Sequence, residues 1–582
     1  MGLPDEALEG RGLNLYQVDD ALQALLERQL DPAQLVRARP LLERMGELAG
    51  GAIDRQAEYT DRYAPPVLEA HDRQGAVVKR VRYNPLYEES VGQVYGLGIV
   101  GCSFGPDRLP FAVHHALLYL LSQSDPALGC PVTLTAATAF VLDRHGSPEQ
   151  RARWLPQLTV RQPGPYLDGA TWVTERPGGS DAGAAETLAE PDPAGGWRLT
   201  GEKWFASNAD ADLALVTARP AGAGPGTRGL GLYLVARQGP DGTANRYRIR
   251  RLKDKLGTRG LATGEIELEG AAAELVTPPP DGFRHMLEAL EFSRIANAAA
   301  SCGIMRRVTL EAFCYARQRA AFGQVLTDFP MVQETLATMQ AQAEAGLLLT
   351  FEAVRALDRG AGPAHRPATT WQRLTTALAK YRTGEDAVRN ASRAVEVLGG
   401  NGYVEDYVTA RLFREAQVLP VWEGPANIQA LEVLRMLGPR WRAGAEFAAR
   451  VLGVAEQAGA VGPARDLAGL LRAQAGELED ALSWLAVEPG QGPRHARRLM
   501  AWMADLLEVA LLLEQALPEL ARGDHRTLAL AWWLAQARLR PLALHGVGDQ
   551  LSWLPAALPA LLAHRPLEAV PLAELGPVGA GR

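Results

Sequence analysis

The chain has 582 residues, of which 47% are hydrophobic and 22% charged, leaving room for several domains and excluding intrinsic disorder, collagen-like repeats and a small disulfide scaffold. Sixty basic against 67 acidic residues give a net charge of -7, so nothing draws the whole chain to nucleic acid or an anionic membrane. The cations are 55 arginines and five lysines, read as compositional bias, and the four cysteines form no C-x-x-C pair, so neither metal site nor disulfide is expected and a reducing cytoplasm fits best.

The N-terminus lacks the basic start and apolar run of a secretory signal. Residues 1–165 are helix-patterned, with Leu22, Leu25, Leu26 and Leu30 on one face; residues 63–85, rich in proline, glycine and charge, interrupt the pattern. Gly96, Gly98 and Gly101 spell G-x-G-x-x-G, but no strand delivers the first glycine and no helix opens at the last, so they read as a helix connection. Residues 166–280 change to short alternating runs separated by turn residues. ATWVTE (170–175), GWRLTG (196–201), LALVTA (213–218), LGLYLVA (230–236), RYRIRRL (246–252) and GEIELE (264–269) suffice for a small barrel or sandwich. Helical periodicity returns over residues 281–439. Ala298, Cys302, Met305, Thr309, Ala312 and Ala316 form one stripe, with Arg306, Arg307 and Glu311 off it. Leu374, Leu378, Tyr381, Val388, Ala391, Val395 and Leu398 form another, which stops at Gly399 and Gly400. Short loops make an antiparallel bundle the economical reading. Residues 440–582 form a further helical extension, whose apolar run 527–537 is too short to span a bilayer and reads as a buried helix.

Two segments carry chemistry. In TWVTERPGGSDAG (171–183) a strand with Val173 and Thr174 runs into Pro177, Gly178, Gly179, Ser180 and Asp181. Bare backbone N–H groups and two hydroxyls there suit an electron-rich ring or a phosphate, or the turn satisfies only its own backbone. In GEKWFASNADAD (201–212) Trp204, Phe205 and Ser207 offer apolar faces and a hydroxyl, suited to covering an isoalloxazine ring, or to filling a barrel core.

Three more segments complete a pattern: RAAFGQVL (319–326), EVLGGNGY (396–403) and VWEGPANI (421–428). Together with the first two they resemble the acyl-CoA dehydrogenase flavoprotein family, whose T-E-x-x-G-S-D, R-x-x-F-G, L-G-G-x-G-Y/F and aromatic-E-G segments occur here in order. The long N-terminal region with CPVTLTAATAFVL (130–142), the phrase RLKDKLGTRG (251–260), WEGPAN and the C-terminal extension look like the AidB-like branch of that family.

The resemblance implies an α+β fold: an N-terminal helical domain (1–165), a β-domain (166–280), a four-helix bundle (281–439) and the extension (440–582). It implies FAD, held by Val173, Thr174, Gly179, Ser180, Trp204, Phe205, Ser207, Arg319, Phe322, Gly399, Gly400 and Asn427. Arg319 and Phe322 would reach the cofactor of a neighbouring subunit in a dimer of dimers. It implies an acyl-CoA thioester bound by Ser180, Arg294, Trp422 and Gly424, with Glu423 as the base and flavin N5 as hydride acceptor. The thioester carbonyl would be hydrogen-bonded by the Glu423 N–H and a flavin ribityl hydroxyl. Electrons would pass to an electron-transferring flavoprotein. From the residues alone Arg294 equally suits an intrahelical pair with Glu291 or Glu288, and Glu423 a helix N-terminus. Pro425 fits the first helical position but replaces the family's Thr or Ser and loses its hydroxyl. A competing expectation is an AidB-like stress protein whose extension binds DNA. Against it, residues 440–582 hold 14 arginines, no lysine and 15 acids, with one dense cluster at Arg494, Arg497 and Arg498. A flavin-dependent oxidase or monooxygenase on the same fold is a third.

Overall fold

The computed structural model describes residues 7–193, 195–239, 241–360, 368–540 and 553–568. The first six residues of the N-terminal reading, and residues 541–552 and 569–582 of the extension, lie outside them. The chain divides into two units, residues 40–296 and residues 1–39 with 297–582.

In the 40–296 unit, the helices Phe111–Ser122 and Pro126–His145 are buried along nearly their whole length. Helices apolar all round belong in a core. Pro126–His145 alone among the described residues is long and apolar enough to cross a membrane, and 89% of its apolar window is buried in the fold. The interruption at residues 63–85 holds a β-hairpin that the sequence reading did not see, β1 (Val67–His71) with β2 (Val77–Arg82). Asp72 accepts from the Gln74 and Ala76 N–H groups in its turn, where Gly75 takes φ +83°; β1 lacks apolar alternation, and its side chains are all at least partly exposed.

Seven strands follow: β3 (Gly169–Trp172), β4 (Leu188–Pro191), β5 (Trp197–Ser207), β6 (Leu213–Pro220), β7 (Gly231–Ala236), β8 (Tyr247–Leu252) and β9 (Thr263–Thr277). Pairing runs β6-β4-β5-β9-β7 and closes from β7 to β6, with β3 laid parallel on β6 and β8 on β9. The closed ring makes this a barrel rather than a sandwich, filled by Trp172, Leu199, Tyr233 and Ile266. The short β4 was missed because four residues ending in proline carry little strand signal. β3 stops at Trp172, so Thr174 lies beyond the strand expected to carry it. β9 runs past the expected 264–269 through a bulge: Leu199 pairs with Ala271 and Thr200 with Glu269, leaving Gly270 at φ +76° unpaired.

In the other unit, the stripe on helix Gly282–Ala316 is buried from Ala298 onward, but Arg306, Arg307 and Glu311 are also buried. Arg307 Nε pairs with Glu311 Oε1 at 2.6 Å, and Arg306 donates to the Val18 carbonyl at 2.7 Å. The off-stripe face therefore meets the N-terminal segment instead of water. Helix Pro330–Gly360 and helix Ala426–Leu437 pack on Thr370–Leu398, which ends at Gly399 as expected. Five extension α-helices lie among the described residues: Ala443–Gly459, Arg465–Val487, Gly492–Leu520, Arg526–Leu539 and Leu554–Leu562. Helix Arg526–Leu539 contains the 527–537 run, buried from Thr527 to Ala535.

The extension docks through charges turned inward. Arg538 meets Asp386 at 2.6 Å, Asp505 at 3.1 Å and Glu508 at 2.6 Å, and Arg382 meets Asp505 at 3.2 Å and Asp386 at 3.4 Å. Burial pushes the Glu508 carboxyl up to about 8 against the attraction of Arg538. Arg526 is buried against Glu344, and Arg450 bridges Glu352 and Glu514.

Candidate active site

In the barrel unit, Thr174 is tied to β5 by the Trp204 N–H, 2.9 Å from its carbonyl. Glu175 points inward. Its carboxylate accepts from Lys203 Nζ at 2.6 Å, the Thr187 hydroxyl at 2.6 Å and the Glu186 N–H at 2.6 Å. Burial opposes its ionisation, but the Lys203 ammonium and these donors outweigh it and hold the carboxyl below its usual range. Glu175 is therefore the anchor of the turn. Beyond it, a Cβ on Gly179 would come within 3.3 Å of both Thr174 Oγ1 and Cγ2, so glycine lets the turn lie close on Thr174. Ser180 is exposed, and neither its hydroxyl nor that of Thr174 has a partner among the described residues.

Trp204 and Phe205 sit in a bulge, since β5 pairs Lys203 with Ile266 and next Ala206 with Gly264. The bulge re-aims side chains that strict alternation would separate. Phe205 is 58% exposed, so this pair does not fill the barrel core. Trp204 is not bare, however: Lys253 Nζ lies 3.4 Å and Arg176 Cζ 4.5 Å from its ring centroid. Ser207 Oγ is 3.4 Å from Thr263 Oγ1, which also accepts from Lys255 Nζ at 3.1 Å. Lysine is scarce in this chain, yet Lys203, Lys253 and Lys255 all border this one group. Arg294 takes the intrahelical pairing with Glu291, and both are buried.

In the other unit the remaining residues form two groups. Arg319 precedes a small hairpin, Ala320–Ala321 with Gln324–Val325, whose tip residues Phe322 and Gly323 have φ +51° and +84°. Phe322 is 99% exposed, and Arg319 is exposed with no side-chain partner among the described residues. The glycine loop joins this group: Gly399 takes φ +62°, Gly400 opens the short helix Gly400–Tyr403, and Asn401 Nδ2 lies 3.3 Å from the Tyr315 hydroxyl, one turn from Arg319.

The second group surrounds Glu423, which has φ +56° and is followed by Gly424 at +92°. A non-glycine residue there costs roughly 1–3 kcal/mol and persists where its surroundings over-determine it. Three side chains absent from the motif reading do so. Asn297 accepts from Trp422 Nε1 and donates to the Leu419 carbonyl at 3.2 Å. Lys380 Nζ donates to the Gly424 carbonyl at 2.7 Å. Gln429 Nε2 donates to the Glu423 and Gly424 carbonyls at 3.1 and 3.0 Å. Pro425 is the N-cap rather than the first helical residue of Ala426–Leu437, a shift of one position, and Asn427 is exposed in the first turn. The helix N-terminus expected near Glu423 is thus present, two residues beyond it.

A flat ring with a polar edge fits the barrel group: free hydroxyls at Thr174 and Ser180, a turn made shallow by Gly179, and an outward Trp204–Phe205 bulge. An exposed guanidinium beside a glycine loop fits an anionic pyrophosphate.

Comparisons with known proteins agree. Residues 7–164 match the family described as "Adaptive response protein AidB N-terminal domain", residues 170–271 "Acyl-CoA dehydrogenase, middle domain" and residues 280–438 "Acyl-CoA dehydrogenase, C-terminal domain". Acyl-CoA dehydrogenase family member 11 of Caenorhabditis elegans is 34% identical over 438 residues, 73% of this chain and 70% of that protein. The putative acyl-CoA dehydrogenase AidB of Escherichia coli is 34% identical over 436 residues, 73% of this chain and 78% of that protein. The crystal structure of C. elegans ACDH-11 in complex with C11-CoA superposes with a TM-score of 0.84 at 29% identity, covering 93% of this chain and 94% of that one. Motifs, barrel, bundle and extension converge on one conclusion: the chain belongs to the acyl-CoA dehydrogenase family of FAD-dependent oxidoreductases acting on CH–CH groups, with an AidB-type N-terminal domain.

Proposed function

We propose that this protein dehydrogenates an acyl-CoA thioester between Cα and Cβ, with Glu423 as the base that removes the α proton. The single observation that carries this reading is the left-handed backbone of Glu423, held by Lys380 and Gln429 beside an anchored Trp422. Strain of this kind concentrates where a side chain must be aimed. The Glu423 N–H would hydrogen-bond the thioester carbonyl, where negative charge develops as the proton leaves. Bound FAD supplies the hydride acceptor at N5. Val173, Thr174, Gly179, Ser180, Trp204, Phe205 and Ser207 would hold its ring. Arg319, Phe322, Gly399, Gly400 and Asn427 would hold the adenosine diphosphate half, in a homotetramer that of a neighbouring subunit. Ser180, Trp422 and Gly424 would contact substrate; Arg294, engaged with Glu291, would act at most on the CoA side. The C11-CoA bound by the C. elegans protein supports a fatty acyl substrate. An electron-transferring flavoprotein would take the electrons in the cytoplasm.

The test is anaerobic mixing of the purified yellow protein with acyl-CoA thioesters of graded chain length, following flavin bleaching with Glu423→Gln alongside. Bleaching by a thioester in the wild type and its loss in Glu423→Gln are expected; no bleaching by any thioester rejects the reading. The alternative, a DNA-binding stress protein, draws little support from the extension, whose Arg450, Arg526 and Arg538 are spent on internal acids.

A further inference from the structure

The strain at Glu423 is held from two directions. Lys380, 1% exposed, comes from the middle of helix Thr370–Leu398, and Gln429, 0% exposed, from the first turn of the helix after the loop. Between them they make three hydrogen bonds to two consecutive carbonyls, those of Glu423 and Gly424. The direction of a carbonyl fixes the ψ of its own residue, so these bonds set the backbone on the C-terminal side of Glu423 and thereby the path along which its side chain leaves the chain. We propose that Lys380 and Gln429 are positioning residues for Glu423, acting through its backbone; the proposal rests on Glu423 being the base.

Composition points the same way. A chain that uses arginine for 55 of its 60 cations has lysine at this position. A guanidinium presents five donors in a planar fork. Buried against a carbonyl it would leave several of them unmade, whereas an ammonium on a flexible stem reaches that acceptor as a compact charge. Arginine is therefore not a substitute here.

The experiment compares Lys380→Met, Lys380→Arg, Gln429→Leu and Glu423→Gln with wild type in two ways. In FAD-loaded protein, the bleaching rate at saturating acyl-CoA is expected to fall about 10- to 100-fold in Lys380→Met and Gln429→Leu, because a misplacement near 1 Å can cost about 100-fold. The half-saturating thioester concentration should move less than about threefold, and Lys380→Arg should not restore the rate. In protein stripped of FAD, amide hydrogen exchange across residues 419–428 should quicken in the same variants while the barrel strands exchange as before. Wild-type rate and wild-type exchange in both variants would overturn the clamp. If Lys380→Met does not fold, Gln429→Leu decides by the same two readouts. If Glu423→Gln bleaches as fast as wild type, the base reading fails on its own, and with it the proposal that these residues position a base.

Discussion

Lys203 Nζ lies 2.6 Å from Glu175 Oε1 with both side chains buried, and it also donates to the Thr217 carbonyl at 2.8 Å. Removing one partner of a buried pair strands the other, so Lys203→Met should destabilise the barrel unit by about 3–5 kcal/mol. Glu175→Leu with Lys203→Met should cost less than Lys203→Met alone. Urea unfolding followed by tryptophan fluorescence measures both, and a double variant weaker than the single one would refute the coupling.

Two adjacent glycines should respond differently. Gly399 has φ +62° and ψ -134° with nothing within 4 Å of an added Cβ, so Gly399→Ala meets only backbone strain, about 1–3 kcal/mol of lost stability. Gly400 lacks positive φ and also has open space around it. Gly400→Ala should change the melting temperature little. If it nevertheless weakens FAD retention, the open space belongs to the cofactor.

Acid and alkali should loosen different units. His114 and His115 are fully buried, and burial lowers them to about 4 and about 3. Their folded values lie below the unfolded value near 6.5. The stability linked to them is complete above about 6.5 and is lost as pH falls toward their folded values. Glu508 runs the other way: raised to about 8 by burial, its contribution is complete below the unfolded value near 4.3 and is lost as pH rises through about 8. Hydrogen exchange across this range should show the Phe111–Ser122 helix opening first in acid and the Gly492–Leu520 helix first in mild alkali. Glu508→Gln should remove the alkaline loss.

A chain ending at residue 439 should not stay soluble. Helices Gly492–Leu520 and Arg526–Leu539 bury Leu506, Leu507, Leu512, Leu513, Leu530 and Leu534, and their packing partner includes helix Pro330–Gly360. Without them that apolar surface meets water, and Asp386 and Glu344 lose Arg538 and Arg526. Size-exclusion chromatography should show aggregate; a monodisperse truncated protein with wild-type unfolding would contradict the packing described.

The barrel strands, the Thr370–Leu398 helix and the five motif segments were legible because each depends on local alternation, periodicity or turn residues. The β1–β2 hairpin and the second half of β9 were not. β1 has no apolar rhythm, and β9 continues through Gly270 into three alanines that carry no strand preference. Arg306, Arg307 and Glu311, off the apolar stripe of helix Gly282–Ala316, are buried as well, because the sequence does not say that Val18 and its neighbours return to cover Arg306. At the candidate site the motifs gave Glu423 but not Asn297, Lys380 and Gln429, which lie far apart or on the loop's far side. A signal for them did exist. Lysine is rare in this chain, and four of its five lysines, Lys203, Lys253, Lys255 and Lys380, border the barrel group or the Glu423 group.

The inward charges at Arg538 and Arg382 also predict how the extension responds to ionic strength. Surface pairs such as Arg497 with Glu385 are screened by dissolved ions, whereas partners shut away from solvent are screened far less. Molar sodium chloride should leave the extension seated, and the same segment should offer a polyanion fewer available cations than its arginine content suggests.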